Sequence, residues 1–205
     1  NNFFKKKISE KKIKIYKSKI FFRDEKKKNN TIAFSSINRS KIFYDKKNDY
    51  NKIIINGAIF NTKYNLVFFR DVKNFNITNF RFNSPQINAN IKNELIKEDD
   101  KKNSYSGKIL LTILGSEIKI NYNIKENLIS LLSNSSSQNN KSFNLIGEIN
   151  TSPFYYEINI DVEKSNGIKF IDNILRIKNL LKKNILLNNN FKDKISINIK
   201  SLENI

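Results

Sequence analysis

Phe154-Tyr155-Tyr156-Glu157-Ile158-Asn159-Ile160-Asp161-Val162 is the stretch that decides the fold. Phe154, Tyr156, Ile158, Ile160 and Val162 fall on one side of an extended chain, and Glu157, Asn159 and Asp161 fall on the other. Successive side chains of a strand point to opposite faces, so this period of two reads as a strand with one apolar face. The same pattern recurs in Ile118-Lys119-Ile120-Asn121-Tyr122-Asn123-Ile124 and in Ile195-Ser196-Ile197-Asn198-Ile199. Looser versions occur at Ile13-Lys14-Ile15-Tyr16, Phe80-Arg81-Phe82 and Phe143-Asn144-Leu145. Ile and Phe fit a pleated, half-buried surface, which strengthens the assignment.

Working outward, the breaks between runs are sought where Gly and Pro supply turn dihedrals. Asn56-Gly57 is read as interrupting the segment from Ile53 to Phe69, and Ser84-Pro85, Ser106-Gly107, Gly115-Ser116 and Thr151-Ser152-Pro153 as further breaks. Lys97 to Asn103 is expected to be an exposed loop, and the low-complexity run from Ser133 to Lys141 a mobile one. Between Gly167 and Leu187 the alternation stops. Phe170, Ile171, Ile174, Leu175, Ile177, Leu180 and Leu181 take helical spacing, which predicts one principal amphipathic helix over 167–187. A shorter helix is possible around Glu126 to Leu132.

Composition excludes several chemistries. With no Cys and no His, the chain can build no disulfide, Zn-thiolate site, Cys nucleophile or His general base. The densest acidic cluster, Glu98-Asp99-Asp100, is set among lysines and reads as a charged surface turn, because acid/base catalysis needs carboxylates held rigidly and tuned by burial. Neither a Gly-x-Ser-x-Gly elbow nor a Gly-rich phosphate loop is present. No enzyme activity, cofactor or metal is expected. The formal net charge of +19 invites a polyanion reading. Yet Lys, Asn, Ile and Phe are abundant together, as in the product of an A/T-rich gene, and the lysines are scattered. Lys41-Ile42-Phe43-Tyr44 and Lys12-Ile13-Lys14-Ile15-Tyr16 interleave aromatics with cations, so a basic RNA-associated protein is the alternative. The 205 residues contain no Met, which reads as a piece of a longer chain, and no apolar run approaches the roughly 20 residues that cross a bilayer.

One helix, about 10 Å across, shields about two strands spaced about 4.8 Å apart. With roughly ten strand-like runs against one helix, most of the apolar face must meet a second sheet, curl on itself, or face an apolar ligand. A β-sandwich is one solution. An elongated, curved antiparallel half-pipe filled by acyl chains is the other. In the second case the lining consists of Phe154, Tyr156, Ile158 and Ile160, then Ile118, Ile120 and Tyr122, then Ile195, Ile197 and Ile199. The alternative role of these residues is ordinary core packing.

The order of elements resembles the AsmA family and related TamB-like envelope proteins. Three stretches carry the likeness. Ser18-Lys19-Ile20-Phe21-Phe22-Arg23-Asp24 is similar to a recurring strand that ends in an Asp-bearing turn. Lys52-Ile53-Ile54-Ile55-Asn56-Gly57-Ala58-Ile59-Phe60-Asn61 resembles the family's apolar-x-Gly-x-apolar strand with its return strand. From Phe143 to Ile199, Ile146-Gly147-Glu148-Ile149 and Ser152-Pro153-Phe154 precede an alternating strand, a helical Leu/Ile-rich segment and a further strand, similar to the family's repeating unit. Gly and Asp are rarer here than in the family, replaced by Asn and Lys. The resemblance implies that residues 1–205 are one β-rich segment of a longer periplasmic protein. That protein would be anchored to the inner membrane by a segment outside this chain. It would support outer-membrane biogenesis by conducting phospholipid, with acyl chains rather than nucleic acid as the partner.

Overall fold

The computed structural model describes residues 6–24, 30–59, 62–99, 104–113, 116–133, 143–162 and 192–199. These form a single mainly β architecture of twelve strands in one sheet, arranged in strict sequence order. The strands are β1 Ile13–Asp24, β2 Asn30–Asp45, β3 Tyr50–Ile59, β4 Thr62–Asp71, β5 Ile77–Ser84 and β6 Ala89–Asp99, followed by β7 Ser104–Ile113, β8 Ser116–Lys125, β9 Leu128–Ser133, β10 Phe143–Thr151, β11 Phe154–Val162 and β12 Lys192–Ile199. β1 to β11 pair antiparallel as a meander, and β12 joins β11 in parallel. The sheet is therefore about 50 Å wide at the usual spacing of about 4.8 Å per strand.

The alternating stretches read from the sequence are all strands, and β11 keeps the bounds Phe154–Val162. Each strand's principal contacts are with its sequence neighbours, and the described residues hold no second sheet against this one. The sandwich alternative is thus not the arrangement seen. Nor do the described residues contain an α-helix; they carry one 3₁₀ turn, Pro85–Ile87, closed by the left-handed Asn88. The helix expected over 167–187 falls outside them, as do residues 134–141 of the loop that was expected to be mobile. Its first residue, Ser133, closes β9. Parallel pairing of β11 with β12 requires a crossover connection, and the expected helix lies in that connection.

Four expectations are corrected. Asn56-Gly57 is no turn. It lies inside β3, with Gly57 opposite Tyr64, and the chain reverses between Ile59 and Thr62, which pair with each other. Ser106-Gly107 likewise lies inside β7, where Gly107 faces Tyr122. In both places glycine permits a close approach: a methyl at Gly57 would stand 2.3 Å from the Ser36 carbonyl oxygen and 3.0 Å from the Tyr64 hydroxyl, and one at Gly107 would overlap the Tyr122 ring. The expected loop from Lys97 to Asn103 starts too early, because β6 runs on to Asp99 through a bulge between Lys97 and Asp99. The short helix near Glu126 to Leu132 is a turn at Glu126-Asn127 followed by β9. A strand on either side of that apolar run satisfies its backbone as ladder bonds, and this decides strand over helix.

Register settles which residues share a face. One row reads Ile13, Ile42, Ile53, Phe68, Phe80, Asn93, Ile109 and Ile120 from β1 to β8, and resumes as Ser133, Leu145, Ile160 and Ile197 from β9 to β12. The adjacent row reads Ile15, Ser40, Ile55, Leu66, Phe82, Ile91, Leu111 and Ile118. A bulge between Ile37 and Arg39 in β2 resets the alternation, so that Ile37 and Ser35 stay on the same face as Ile42 and Ser40. Without that extra residue, half of β2 would present its apolar side to the wrong face.

Candidate functional site

Among the described residues, a mainly apolar face runs from strand to strand across the sheet. Every fully buried side chain among the described residues lies on it: Ile37, Tyr44, Ala89, Ile118, Ile120, Tyr122, Leu145 and Ile160, with the small or polar Ser35, Ser40, Asn51, Ser84, Asn93 and Ser133. The densest packing is at the β8–β11 end, where Ile118, Ile120, Leu145 and Ile160 meet, flanked by Ile109, Leu111, Leu131 and Ile158. Cross-strand pairs are the unit of sheet stabilisation, and here they repeat across consecutive strands. Aromatics fill the middle. Phe68 and Phe80 are direct cross-strand partners with ring centroids 5.6 Å apart, and Tyr64 stacks on Phe82 at 5.5 Å. Such pairs contribute about 0.5–1.5 kcal/mol each beyond the area they bury.

All the residues singled out from the sequence are brought to this face by register. Ile118, Ile120 and Tyr122 of β8 are buried, as is Ile160 of β11, while Phe154, Tyr156 and Ile158 are half-buried. β12 is placed by its backbone: Ile195 is in register with Ile158, Ile197 with Ile160 and Ile199 with Val162. Sequence reading missed the contributions of β2 to β7, above all Ile53, Phe68, Phe80 and Leu111. In β3 and β4 apolar residues occupy both faces, as in Ile53-Ile54-Ile55 and Val67-Phe68-Phe69, which hides the period of two. The alternation of Phe80-Arg81-Phe82 was the available signal, and its pairing with β4 follows from register.

Between Asn51, Ile53, Phe68, Arg70 and Thr78 the face opens into a hollow of about 320 Å³, at the small end of the range of ligand pockets. Polar groups are few and sit toward the strand ends. The Asn51 side chain is spent on the N-terminal segment, accepting from the Ile8 amide at 3.1 Å and donating to the Lys6 carbonyl at 2.8 Å. Tyr44 donates to the Asp49 carboxylate. That hydrogen bond, with burial and the Asp49 charge adding to it, pushes the phenol up to about 12, and the same bond holds Asp49 below the ordinary carboxylate range. Asn93, 5 % exposed, interrupts the apolar row with neither amide atom in hydrogen-bond geometry. Burial pushes the Tyr122 phenol up; its approach to the Asn93 amide opposes this shift without reaching hydrogen-bond geometry.

The opposite face is mixed, with apolar Ile54, Val67 and Phe69 on β3 and β4 and a basic group on β5 to β8. Arg81, Lys92, Lys108 and Lys119, with Glu94, surround a shallow depression of about 690 Å³. Arg81 stands directly across from Lys92, and Glu94 across from Lys108. The described residues gather no group of three or more acidic side chains able to hold a metal, and include no helix long and apolar enough to cross a membrane. No family model matches the chain, and neither a curated protein nor a solved structure matches it.

Proposed function

We propose that this chain is a segment of an AsmA-like envelope protein that supports outer-membrane biogenesis by conducting phospholipid along the apolar face of a curved, half-pipe sheet. It works in the periplasm, held to the inner membrane by a segment outside this chain. The observation that carries the reading is a mainly apolar face that continues from strand to strand across the sheet, with no partner sheet against it among the described residues. Apolar surface left in water forgoes about 25 cal/mol for each Å², so a face of this extent calls for an apolar occupant, and hydrocarbon tails fit without directional contacts. The restriction of full burial to this face supports an inward curl, because side chains on the concave side of a sheet shade one another. An amphipathic helix over 167–187 would roof part of the trough near β11 and β12.

The test is lipid carriage by the purified chain. After incubation with phosphatidylcholine vesicles and removal of the vesicles by gel filtration, mass spectrometry is expected to find bound phospholipid, retained at 0.5 M salt. A chain that emerges free of lipid refutes the proposal. The basic depression around Arg81 and Lys92 favours a second reading, an RNA-associated protein. That reading predicts binding whose log affinity falls linearly with log salt, whereas acyl-chain binding is nearly indifferent to salt.

A further inference from the structure

Arg70 is the outlier of the apolar face. It stands in register between Asn51 on β3 and Thr78 on β5, at the mouth of the hollow lined by Ile53 and Phe68. It is half-buried, and no carboxylate among the described residues lies within ion-pair distance of it. Its sequence neighbour Asp71 alternates to the other face. One terminal nitrogen donates to the Phe75 carbonyl, and the guanidinium lies 5.8 Å from the Phe75 ring centroid. The Nε–H, by contrast, is sealed from water with no acceptor. Burial pushes the guanidinium below the ordinary arginine value, although arginine keeps its charge in proteins.

A half-buried cation on an apolar face without a counter-ion is uncommon and calls for an explanation, and a guanidinium's terminal N–H groups match the oxygens of phosphate. The hollow supplies the rest of the recognition. Moving from Arg70 along β4 on the same face, the next positions are Phe68 and Leu66, and both sit in rows that are mainly apolar on the neighbouring strands. Charge at the strand end and hydrocarbon toward the strand centre form a site of amphipathic polarity. The geometry points to Arg70 as the headgroup anchor of an anionic phospholipid, taking its phosphate at the free terminal N–H groups while an acyl chain lies over Phe68 and Phe80. This assignment rests on the lipid-conduit reading and adds to it a preference that tails alone cannot give. A net negative headgroup is selected over a zwitterionic one, whose own cation meets Arg70 with like charge.

The experiment uses the whole chain and vesicles of phosphatidylcholine with one third phosphatidylglycerol, incubated and separated at 0.5 M salt so that the diffuse surface charge is screened. Bound lipid is quantified by mass spectrometry. Wild type is expected to enrich phosphatidylglycerol by about tenfold, the scale of one like-charge repulsion at a partly buried site, which the choline cation meets and the glycerol headgroup does not. Arg70→Gln is expected to lose that enrichment in the lipid it binds, and Arg70→Lys, which keeps charge but loses the fork, to retain part of it. Arg81→Gln, a cation removed from the opposite face, is expected to leave the preference unchanged. Urea midpoints establish that each variant is folded. Lipid bound with no preference, or a preference that survives Arg70→Gln in the folded chain, overturns the anchor and leaves the conduit standing. A wild-type chain that binds no lipid overturns both.

Discussion

Gly107→Ala tests how tightly the apolar face is packed. Gly107 lacks a left-handed backbone, so alanine can adopt its conformation. On entropy alone the change would stabilise the chain by about 0.4–1 kcal/mol. The methyl group, however, would overlap the Tyr122 ring and stand 2.5 Å from the Glu94 carbonyl oxygen. Tyr122 is buried between its strand neighbours and cannot swing clear. Overpacking of this kind costs about 1–3 kcal/mol, which outweighs the entropic gain and leaves a net loss of about 1–2 kcal/mol. A double-mutant cycle isolates the cause. Tyr122→Leu alone destabilises by about 1–3 kcal/mol as a core truncation. The double variant should be more stable than the sum of the singles by about 0.5–2 kcal/mol, the range found for residues in contact. Rescue is expected to be partial, because the Glu94 carbonyl stays where it is. Urea denaturation provides the assay. A Gly107→Ala chain at least as stable as wild type, or an additive cycle, would refute the reasoning.

The face and the end of the sheet carry further predictions. Ile160 is 3 % exposed and Ile146, on the neighbouring strand but the other face, is 51 % exposed. Ile160→Ala is therefore expected to cost about 2–5 kcal/mol and Ile146→Ala within about 0.5 kcal/mol of nothing, both read from urea midpoints; equal effects would contradict the assignment of faces. Tyr44 predicts a pH effect. Its phenol is pushed up to about 12 by the bond to Asp49, so the unfolded chain releases this proton at lower pH than the folded one. The stabilisation is full below the ordinary value of 10.0 and is lost as pH rises toward about 12. Urea midpoints at pH 8 and pH 11 should fall more for wild type than for Tyr44→Phe, and equal falls would dismiss the bond.

How much of this could be read in advance depended on the polarity of the second face. β8 and β11 were legible because Lys119, Asn121, Glu157 and Asn159 make their second face polar. In β3 and β4 both faces carry Ile, Val or Phe, so periodicity vanished and register alone restored the alternation. Glycine was misread for a physical reason. It serves turns and also close approach, and Gly57 and Gly107 serve the second. β9 was ambiguous because a short apolar run suits helix and strand alike until its neighbours offer ladder partners. The residues singled out on β8, β11 and β12 fall on one face because each lies in a clean alternating stretch. Phe68, Phe80 and Arg70 were not singled out, since their place on the same face follows from pairings between strands and from where bulges reset the count.

The most direct test of the lipid conduit is site-specific photocrosslinking in cells that make the protein. Benzoylphenylalanine replaces Phe68 or Phe80, half-buried on the apolar face, and in a control Phe34, exposed on the opposite face. The account predicts phospholipid adducts by mass spectrometry at positions 68 and 80 and none at 34. Adducts only to protein at 68 and 80, or lipid adducts in equal yield at all three positions, would contradict it.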